Sequence, residues 1–263
     1  TTGGVSYPVM FVSNGHATGL GLRAARLNPT SGAWTTAVLV DALTGTGTTR
    51  MSTDSSGSTI VLAYHDDTTN VARYVVSVNG GTSWSSATTI SGASQGEGVS
   101  VKLNPVTGYP SMLYYAKAAN KAVYAYCSTA AASCSSAGNW STVDIENGLL
   151  GISGIGANSE GMLGTGITFD STGVATLYYF KGAASTSGAG LRKAVNTLAA
   201  PTTFTSSTQH ASVNGDTTSN AAANATNFAQ SGFSLVTTRN SLGNDQAAYV
   251  GPGNWLYVMS CGD

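Results

Sequence analysis

The sequence predicts an all-β fold, on three observations. An aromatic residue follows a small or polar one five times, at Ala33-Trp34, Ser83-Trp84, Asn139-Trp140, Thr203-Phe204 and Asn254-Trp255, with spacings of 50, 56, 64 and 51 residues. An apolar, aromatic-rich segment recurs in phase ahead of each, at Tyr7 to Val12, Thr59 to Tyr64, Tyr109 to Tyr115, Val174 to Tyr179 and Phe233 to Thr237. No long segment carries a 3.6-residue apolar period, and β-branched residues and glycines abound. Five repeats of about 50 residues suit four-stranded antiparallel blades, so the expected architecture is a five-bladed β-propeller. It occupies residues 1–263 as one domain, with approximate blades 1–46, 47–93, 94–148, 149–215 and 216–263.

Within each repeat the elements follow in order. Tight polar turns precede the apolar segments after the first: Asp54-Ser55-Ser56-Gly57, Asn104-Pro105-Val106-Thr107-Gly108, Asp170-Ser171-Thr172-Gly173 and Gln230-Ser231-Gly232. These are hairpin residues, with glycine supplying positive φ, and they are expected to join the first strand of a blade to the second. Third strands are expected at Leu20 to Arg26, Ala72 to Val78, Ala122 to Cys127, Leu191 to Val195 and Gln246 to Val250, and the Trp or Phe opens the fourth. The first blade starts at its second strand, near Tyr7. Its inner strand then comes from Thr1 to Ser6, from an upstream segment or from the C-terminal tail.

Composition narrows the function. Charged residues make up only 9% of the chain, against about 25% in ordinary soluble domains. Solubility then rests on hydroxyls and amides, a composition common in secreted proteins, and a secreted, cell-surface or periplasmic location is expected. The net charge of −1 and the absence of Lys/Arg runs argue against a nucleic-acid partner. No apolar stretch approaches the roughly 18 residues of a membrane span, and Thr1 to Gly4 are polar or small, so any signal peptide is expected to be already removed or to lie outside this sequence. Cys127 and Cys134 are close enough for a local disulfide, leaving Cys261 over. The histidines His16, His65 and His210 are scattered, which argues against zinc. Adjacent Asp66 and Asp67 read as solvated loop carboxylates, with calcium as the alternative, and no cofactor is expected. The sequons at Asn139-Trp140-Ser141 and Asn224-Ala225-Thr226 are short matches common by chance in so threonine-rich a chain.

The segment Ser77-Val78-Asn79-Gly80-Gly81-Thr82-Ser83-Trp84 resembles the Asp-box of sialidase-like propellers, Ser-x-Asp-x-Gly-x-Thr-Trp, with Asn79 in place of the aspartate and Ser83 in place of the threonine. The resemblance implies a structural role for Ser77, Asn79, Gly81 and Trp84, in the turn between third and fourth strands. It also implies that a ligand binds at the opposite face, which carries the second-to-third and fourth-to-first connections. There the sequence places Asn14-Gly15-His16, His65-Asp66-Asp67, Lys117, Lys181 and Arg239-Asn240, together with Glu97, Glu146, Glu160, His210 and Asp216. Sialidases clamp a sugar carboxylate with three arginines. Here several of Arg23, Arg26, Arg50, Arg73, Arg192 and Arg239 fall within third strands and the family's N-terminal arginine signature is missing, so a non-sialidase member is expected.

The leading expectation is a lectin- or adhesin-like glycan binder using His65, Asp66, Tyr115, Lys117, Tyr179, Lys181, Arg239 and Asn240. Aromatic surfaces there, including Tyr64 and Trp255, would meet sugar C–H groups; the competing reading of each tyrosine and tryptophan is burial between blades. The first alternative is a glycoside hydrolase. Glu97 and Glu160 stand seventeen and eighteen residues before the equivalent Tyr114 and Tyr178, at glycine-flanked entries to adjacent inner strands, and two carboxyls about 5 to 10 Å apart are what such catalysis needs. The second is a protein-binding fibre-tip or scaffold domain, which a flat apolar patch would favour. The sequence sets no oligomeric state.

Overall fold

The computed structural model describes residues 7–14, 21–43, 50–92, 95–149, 164–181, 190–198, 200–210, 233–250 and 256–261. Among these residues eighteen strands form five antiparallel sheets, and within each sheet strands adjacent in sequence are neighbours in space. The first sheet holds β1 (Val9–Asn14), β2 (Gly21–Arg26) and β3 (Val38–Asp41). The second holds β4 (Met51–Ser56), β5 (Thr59–Asp66), β6 (Val71–Ser77) and β7 (Thr88–Thr89). The third holds β8 (Glu97–Leu103), β9 (Pro110–Ala116), β10 (Lys121–Cys127) and β11 (Trp140–Asn147). The fourth holds β12 (Gly166–Phe169), β13 (Ala175–Lys181), β14 (Gly190–Thr197) and β15 (Ala200–His210). The fifth holds β16 (Phe233–Arg239), β17 (Asp245–Val250) and β18 (Leu256–Cys261). Among the described residues helix is confined to three short 3-10 turns within 117–139.

Each sheet buries apolar side chains against the next, so the core is a series of layers. Leu22, Ala24 and Val40 meet Leu62 and Tyr64 between the first two sheets. Val61 and Tyr74 meet Val99, Met112 and Tyr114 between the second and third. Leu113 and Tyr124 continue through Leu177 and Phe180 to Leu235 and Tyr249 across the last three. The expected landmarks work inside these layers. Trp84, Trp140 and Phe204 each set a ring edge-on against a ring of the preceding sheet, Phe11, Tyr74 and Tyr124 respectively, at 5.2, 5.1 and 5.0 Å between centroids. That favours packing over sugar stacking for these three. Trp34 is 47% exposed, and Trp255 lies outside the described residues.

The turn at 77–84 is held by its own side chains. Ser77 Oγ accepts the Gly81 N–H at 2.8 Å, and Asn79 Oδ1 accepts the N–H groups of Thr82 and Ser83 at 3.1 and 3.0 Å. The asparagine also donates through Nδ2 to Ser83 Oγ at 2.8 Å, a bond that an aspartate has no proton to make. Cys127 and Cys134 form the expected disulfide, with Cα atoms 6.0 Å apart; the side chain of Cys261 lies outside the described residues.

Strands of the first four sheets fall within a few residues of expectation, with Asp54 to Ser56 belonging to β4 rather than to its turn. The fifth sheet is out of phase. A Cβ on Gly164 would sit 2.5 Å from Leu235 N, and one on Gly166 would sit 2.3 Å from Thr237 Cγ2, so 235–237 runs alongside 164–166 in the same direction. Neighbouring first strands run parallel in the same way. Ser52 Oγ accepts Val101 N–H and Asp54 accepts Leu103 N–H between β4 and β8, and Thr165 N–H reaches Gly98 O between the segment entering β12 and β8. Hence β16 is a first strand, not the expected second. The turn after it repeats the first-to-second turns in detail: Asn240 Oδ1 accepts the N–H groups of Leu242 and Asn244, as Asp170 Oδ1 accepts those of Thr172 and Val174. The misleading Gln230-Ser231-Gly232 lies outside the described residues.

Arg50, just ahead of β4, donates through Nη2 to Leu235 O at 3.1 Å and so ties the entry of the second sheet to the fifth. Strand alternation points Val236 and Val258, 60% and 70% exposed, away from the fourth sheet.

Close approach of strands makes a prediction. Gly96 has φ +112° and a Cβ there would lie 2.2 Å from Ala72 N, whereas Gly57 has φ +58° with nothing within 4 Å. Gly57→Ala is expected to lose about 1 kcal/mol, the left-handed backbone penalty alone. Gly96→Ala is expected to lose roughly 3 kcal/mol or more, because backbone must also move. Urea denaturation of both variants measures the difference.

Candidate functional site

Because the sheets are antiparallel meanders, the entries to β4, β8, β12 and β16 share one end with the connections from second to third strands. Glu97 opens β8 there, between Gly96 and Gly98, whose φ values are +112° and +62°. Those backbone conformations suit only glycine and turn the carboxyl into the protein, where Glu97 is 2% exposed. His65, at the end of β5, is also 2% exposed, and the charge of Lys117 acts on Glu97. The backbone N–H of Lys117 donates to the Glu97 carboxylate.

The electrostatics of the group are unusual for so small a cluster. Burial pushes the Glu97 carboxyl above the usual carboxylate range, against the pull of backbone N–H groups and of Lys117. Burial likewise pushes the Lys117 ammonium down, with Glu97 opposing it. His65 Nδ1 pairs with Asp67 Oδ1 at 3.0 Å, which orients the ring. When Nδ1 carries the proton, Nε2 presents a lone pair. Glu97 Oε2 and His65 Nε2 are both buried and have no hydrogen-bond partner. The end of the molecule therefore offers two incomplete acceptors beside an ammonium.

Other residues expected at this site have structural duties. Asp66 accepts from Thr68 N–H at 3.0 Å and Thr69 Oγ1 at 2.7 Å and pairs with Arg73 at 2.8 Å, so it closes its own turn. No group of three or more acidic, His or Cys side chains able to hold a metal occurs among the described residues. Tyr115 is fully buried; its hydroxyl donates to Gly164 O at 3.1 Å and accepts Phe180 N–H at 2.8 Å. Tyr179 is equally buried and donates to Glu146 Oε2 at 2.7 Å, and Lys181 pairs with the same carboxylate. Neither tyrosine presents a ring to a ligand. Arg239 and Asn240 follow a first strand and stand at the opposite end, the consequence of the phase shift in the fifth sheet. Glu160, His16 and Asp216 lie outside the described residues, as does the side chain of His210.

Two features escaped the sequence reading. Glu146 is a hub: Arg192 Nε and Nη2 reach its two oxygens at 2.9 and 3.1 Å, beside Tyr179 and Lys181. Asp41 serves the same purpose at an earlier junction, accepting the Tyr64 hydroxyl and Arg73 Nη1. The shared pattern, an acid on the last strand of one sheet and a Tyr and Arg on the next, was visible only with the strands aligned. Arg50 also went unassigned, although it stands directly before an inner strand.

By sequence the chain matches no protein-family model and no curated protein. By structure it resembles the NanB sialidase from Streptococcus pneumoniae, with a TM-score of 0.52 at 11% identity over 91% of this chain and 34% of that one. A protein of unknown function from Dyadobacter fermentans gives 0.51 at 11% identity, over 95% and 70% of the two chains. AofleA from Arthrobotrys oligospora gives 0.50 at 10% identity, over 91% and 61%. The chain thus spans about a third of the length of NanB. At these identities the likeness shows the fold, which is all-β and propeller-like.

The two buried acids make opposite predictions. Glu97 has its folded value raised, so its contribution to stability is complete below the unfolded value of about 4.3 and is lost as pH rises through the folded value. Glu97→Gln is therefore expected to unfold at higher urea than the parent at pH 7, and at the same concentration near pH 3. For Glu146 burial acts upward, but bonds from Lys181, Tyr179 and Arg192 hold its carboxyl below the usual range. Its contribution is present at neutral pH and lost as pH falls through the folded value. Glu146→Gln is expected to cost about 2 to 3 kcal/mol at pH 7 and less in acid, in the same titrations.

Proposed function

We propose that this protein is a secreted, lectin- or adhesin-like carbohydrate-binding β-propeller whose five sheets close as five blades of one domain, and that a glycan docks where Glu97, His65 and Lys117 gather. One observation carries the reading: Glu97 Oε2 and His65 Nε2 are buried with no partner. An unpaired buried acceptor costs on the order of 1 to 3 kcal/mol, a burden that makes sense where a ligand completes the bond. Sugar hydroxyls donate to a carboxylate and to a neutral imidazole nitrogen, so a polyol satisfies both acceptors together. The likeness to a fold that includes a sialidase, the disulfide and the charge-poor surface agree with a carbohydrate-binding protein outside the cell.

Sialidase chemistry itself has little support. Arg26 donates to Thr82, Arg50 to Leu235, Arg73 to Asp41, Arg192 to Glu146 and Arg239 to Asp245, so these arginines serve separate junctions rather than one clamp. A glycoside hydrolase of another kind is the second reading. The raised Glu97 carboxyl favours it, because burial that strengthens a carboxyl's hold on its proton is what a general acid needs. Its partner in that scheme is Glu160.

A glycan array, paired with a panel of aryl glycosides, separates the readings. The expected result is binding without turnover, weakened at least tenfold by Glu97→Gln, about 1.4 kcal/mol. Turnover abolished by Glu97→Gln or Glu160→Gln replaces the lectin with the hydrolase. Silence in both assays leaves the protein-binding tip, which the exposed Val236 and Val258 would suit.

A further inference from the structure

At the opposite end of the inner strands, where β8, β12 and β16 finish, a cavity of about 230 Å³ opens between the third, fourth and fifth sheets. Parallel strands ending side by side put like positions together there. Lys102 comes from β8, Thr168 and Phe169 from β12, and Thr238 and Arg239 from β16, with Pro105 from the adjoining turn. We propose that this cavity is a second saccharide site, taking one neutral pyranose ring. The proposal extends carbohydrate binding to the other end of the molecule and does not depend on the Glu97 group.

Three features point to that ligand. The walls are mixed: Phe169 and Pro105 offer apolar surface to sugar C–H groups, while Thr238, the ammonium and the guanidinium offer hydrogen bonds. The ion pairs at the rim are long. Lys102 Nζ to Asp54 Oδ1 and Arg239 Nη1 to Asp245 Oδ1 are both 3.4 Å, whereas Arg73 to Asp41 and Arg192 to Glu146 are 3.1 and 2.9 Å at the sheet junctions. The carboxylates themselves are pinned, Asp54 by Leu103 N–H at 2.9 Å and Asp245 by Thr168 and Tyr178 at 2.9 and 3.0 Å. A hydroxyl can therefore enter between the fixed Asp54 carboxylate and the Lys102 ammonium and bond to both.

Charge and size complete the assignment. Asp54 and Asp245 balance the two cations, and Asp170 adds its field near Arg239, so the site has no net attraction for an anion. The volume lies below the roughly 300 to 1,000 Å³ of sites for drug-sized ligands, which limits the occupant to about one ring.

Methyl hexosides of neutral configuration and methyl glucuronide, titrated in saturation-transfer NMR, test this on the parent, Thr238→Trp, Lys102→Met and Glu97→Gln proteins, with melting curves to verify folding. Thr238 is exposed on the rim, so the tryptophan covers the cavity without entering the core. At least one neutral methyl hexoside is expected to bind, tenfold or more weakly in Thr238→Trp and about threefold more weakly in Lys102→Met. A hexoside that binds folded Thr238→Trp as well as the parent overturns the site, as does a panel that never binds the parent. Preference for the glucuronide overturns its neutral character. A signal sensitive to Thr238→Trp but not to Glu97→Gln sustains this site even if the Glu97 end proves inert.

Discussion

The inner strands of neighbouring sheets approach so closely that side chains are excluded where they begin. Gly164 lies against the backbone of Leu235 and Gly166 against the side chain of Thr237, while Gly96, at the entry to β8, lies against the backbone of Ala72 in the third strand of the preceding sheet. Where a side chain does fit it is small and hydroxylic: Thr165 Oγ1 bonds Ser100 Oγ and Leu113 O at 2.9 and 3.0 Å, and Ser52 Oγ takes Val101 N–H. The apolar layers farther out follow from this spacing, since each sheet is held close enough to bury both faces. So does the environment of Glu97. A carboxyl placed at a glycine-flanked entry has the next sheet over it, which removes it from water and lifts its proton affinity.

Outside the inner strands the junctions are closed by polar side chains rather than by apolar contact alone. Asp41, Tyr64 and Arg73 join the first sheet to the second, and Glu146, Tyr179 and Arg192 join the third to the fourth. Two other tyrosines do related work with different partners: Tyr115 reaches Gly164 O, and Tyr178 donates to Asp245. A buried acid is tolerable when its oxygens accept short bonds from cations and phenols, and removing one member leaves the others desolvated and unpaired. Such clusters also set relative position. A fixed network of directional bonds specifies how one sheet sits on the next, which interdigitated aliphatic side chains do less sharply.

Much of this was legible in the sequence. Trp84, Trp140 and Phe204 marked the fourth strands because each has to fill the same gap against the preceding sheet, and the Asn/Asp…Gly turns marked hairpins because their chemistry is local. The fifth repeat was misread for the same reason. A turn signature says that two strands meet but not which two, so Gln230-Ser231-Gly232 reads as the first-to-second turn and Arg239-Asn240 as a second-to-third connection. Only the parallel contact of β16 with Gly164 and Gly166 distinguishes them, and long-range contact leaves no local mark. The candidate site was legible to a lesser degree. Glu97, His65 and Lys117 converge because strand direction alone assigns them to one end; Tyr115, Tyr179 and Asp66 belong to the framework because their partners come from other repeats or from their own turn.

In a chain with so few charges, the state of each charged group carries information. At the sheet junctions the acids are paired at ordinary hydrogen-bond distances with cations and phenols, and the one buried atom left over there is a donor, Arg73 Nε. The ends differ. At one, a carboxylate oxygen and an imidazole nitrogen are desolvated without a partner; at the other, two cations stand 3.4 Å from carboxylates that the backbone and neighbouring hydroxyls already hold. Folding alone gives no reason for either arrangement, since an amide or an apolar side chain would satisfy the first and a shorter pair the second. Selection for a bound molecule does give one. The contrast between complete junctions and incomplete ends is what separates groups that hold this protein together from groups through which it acts.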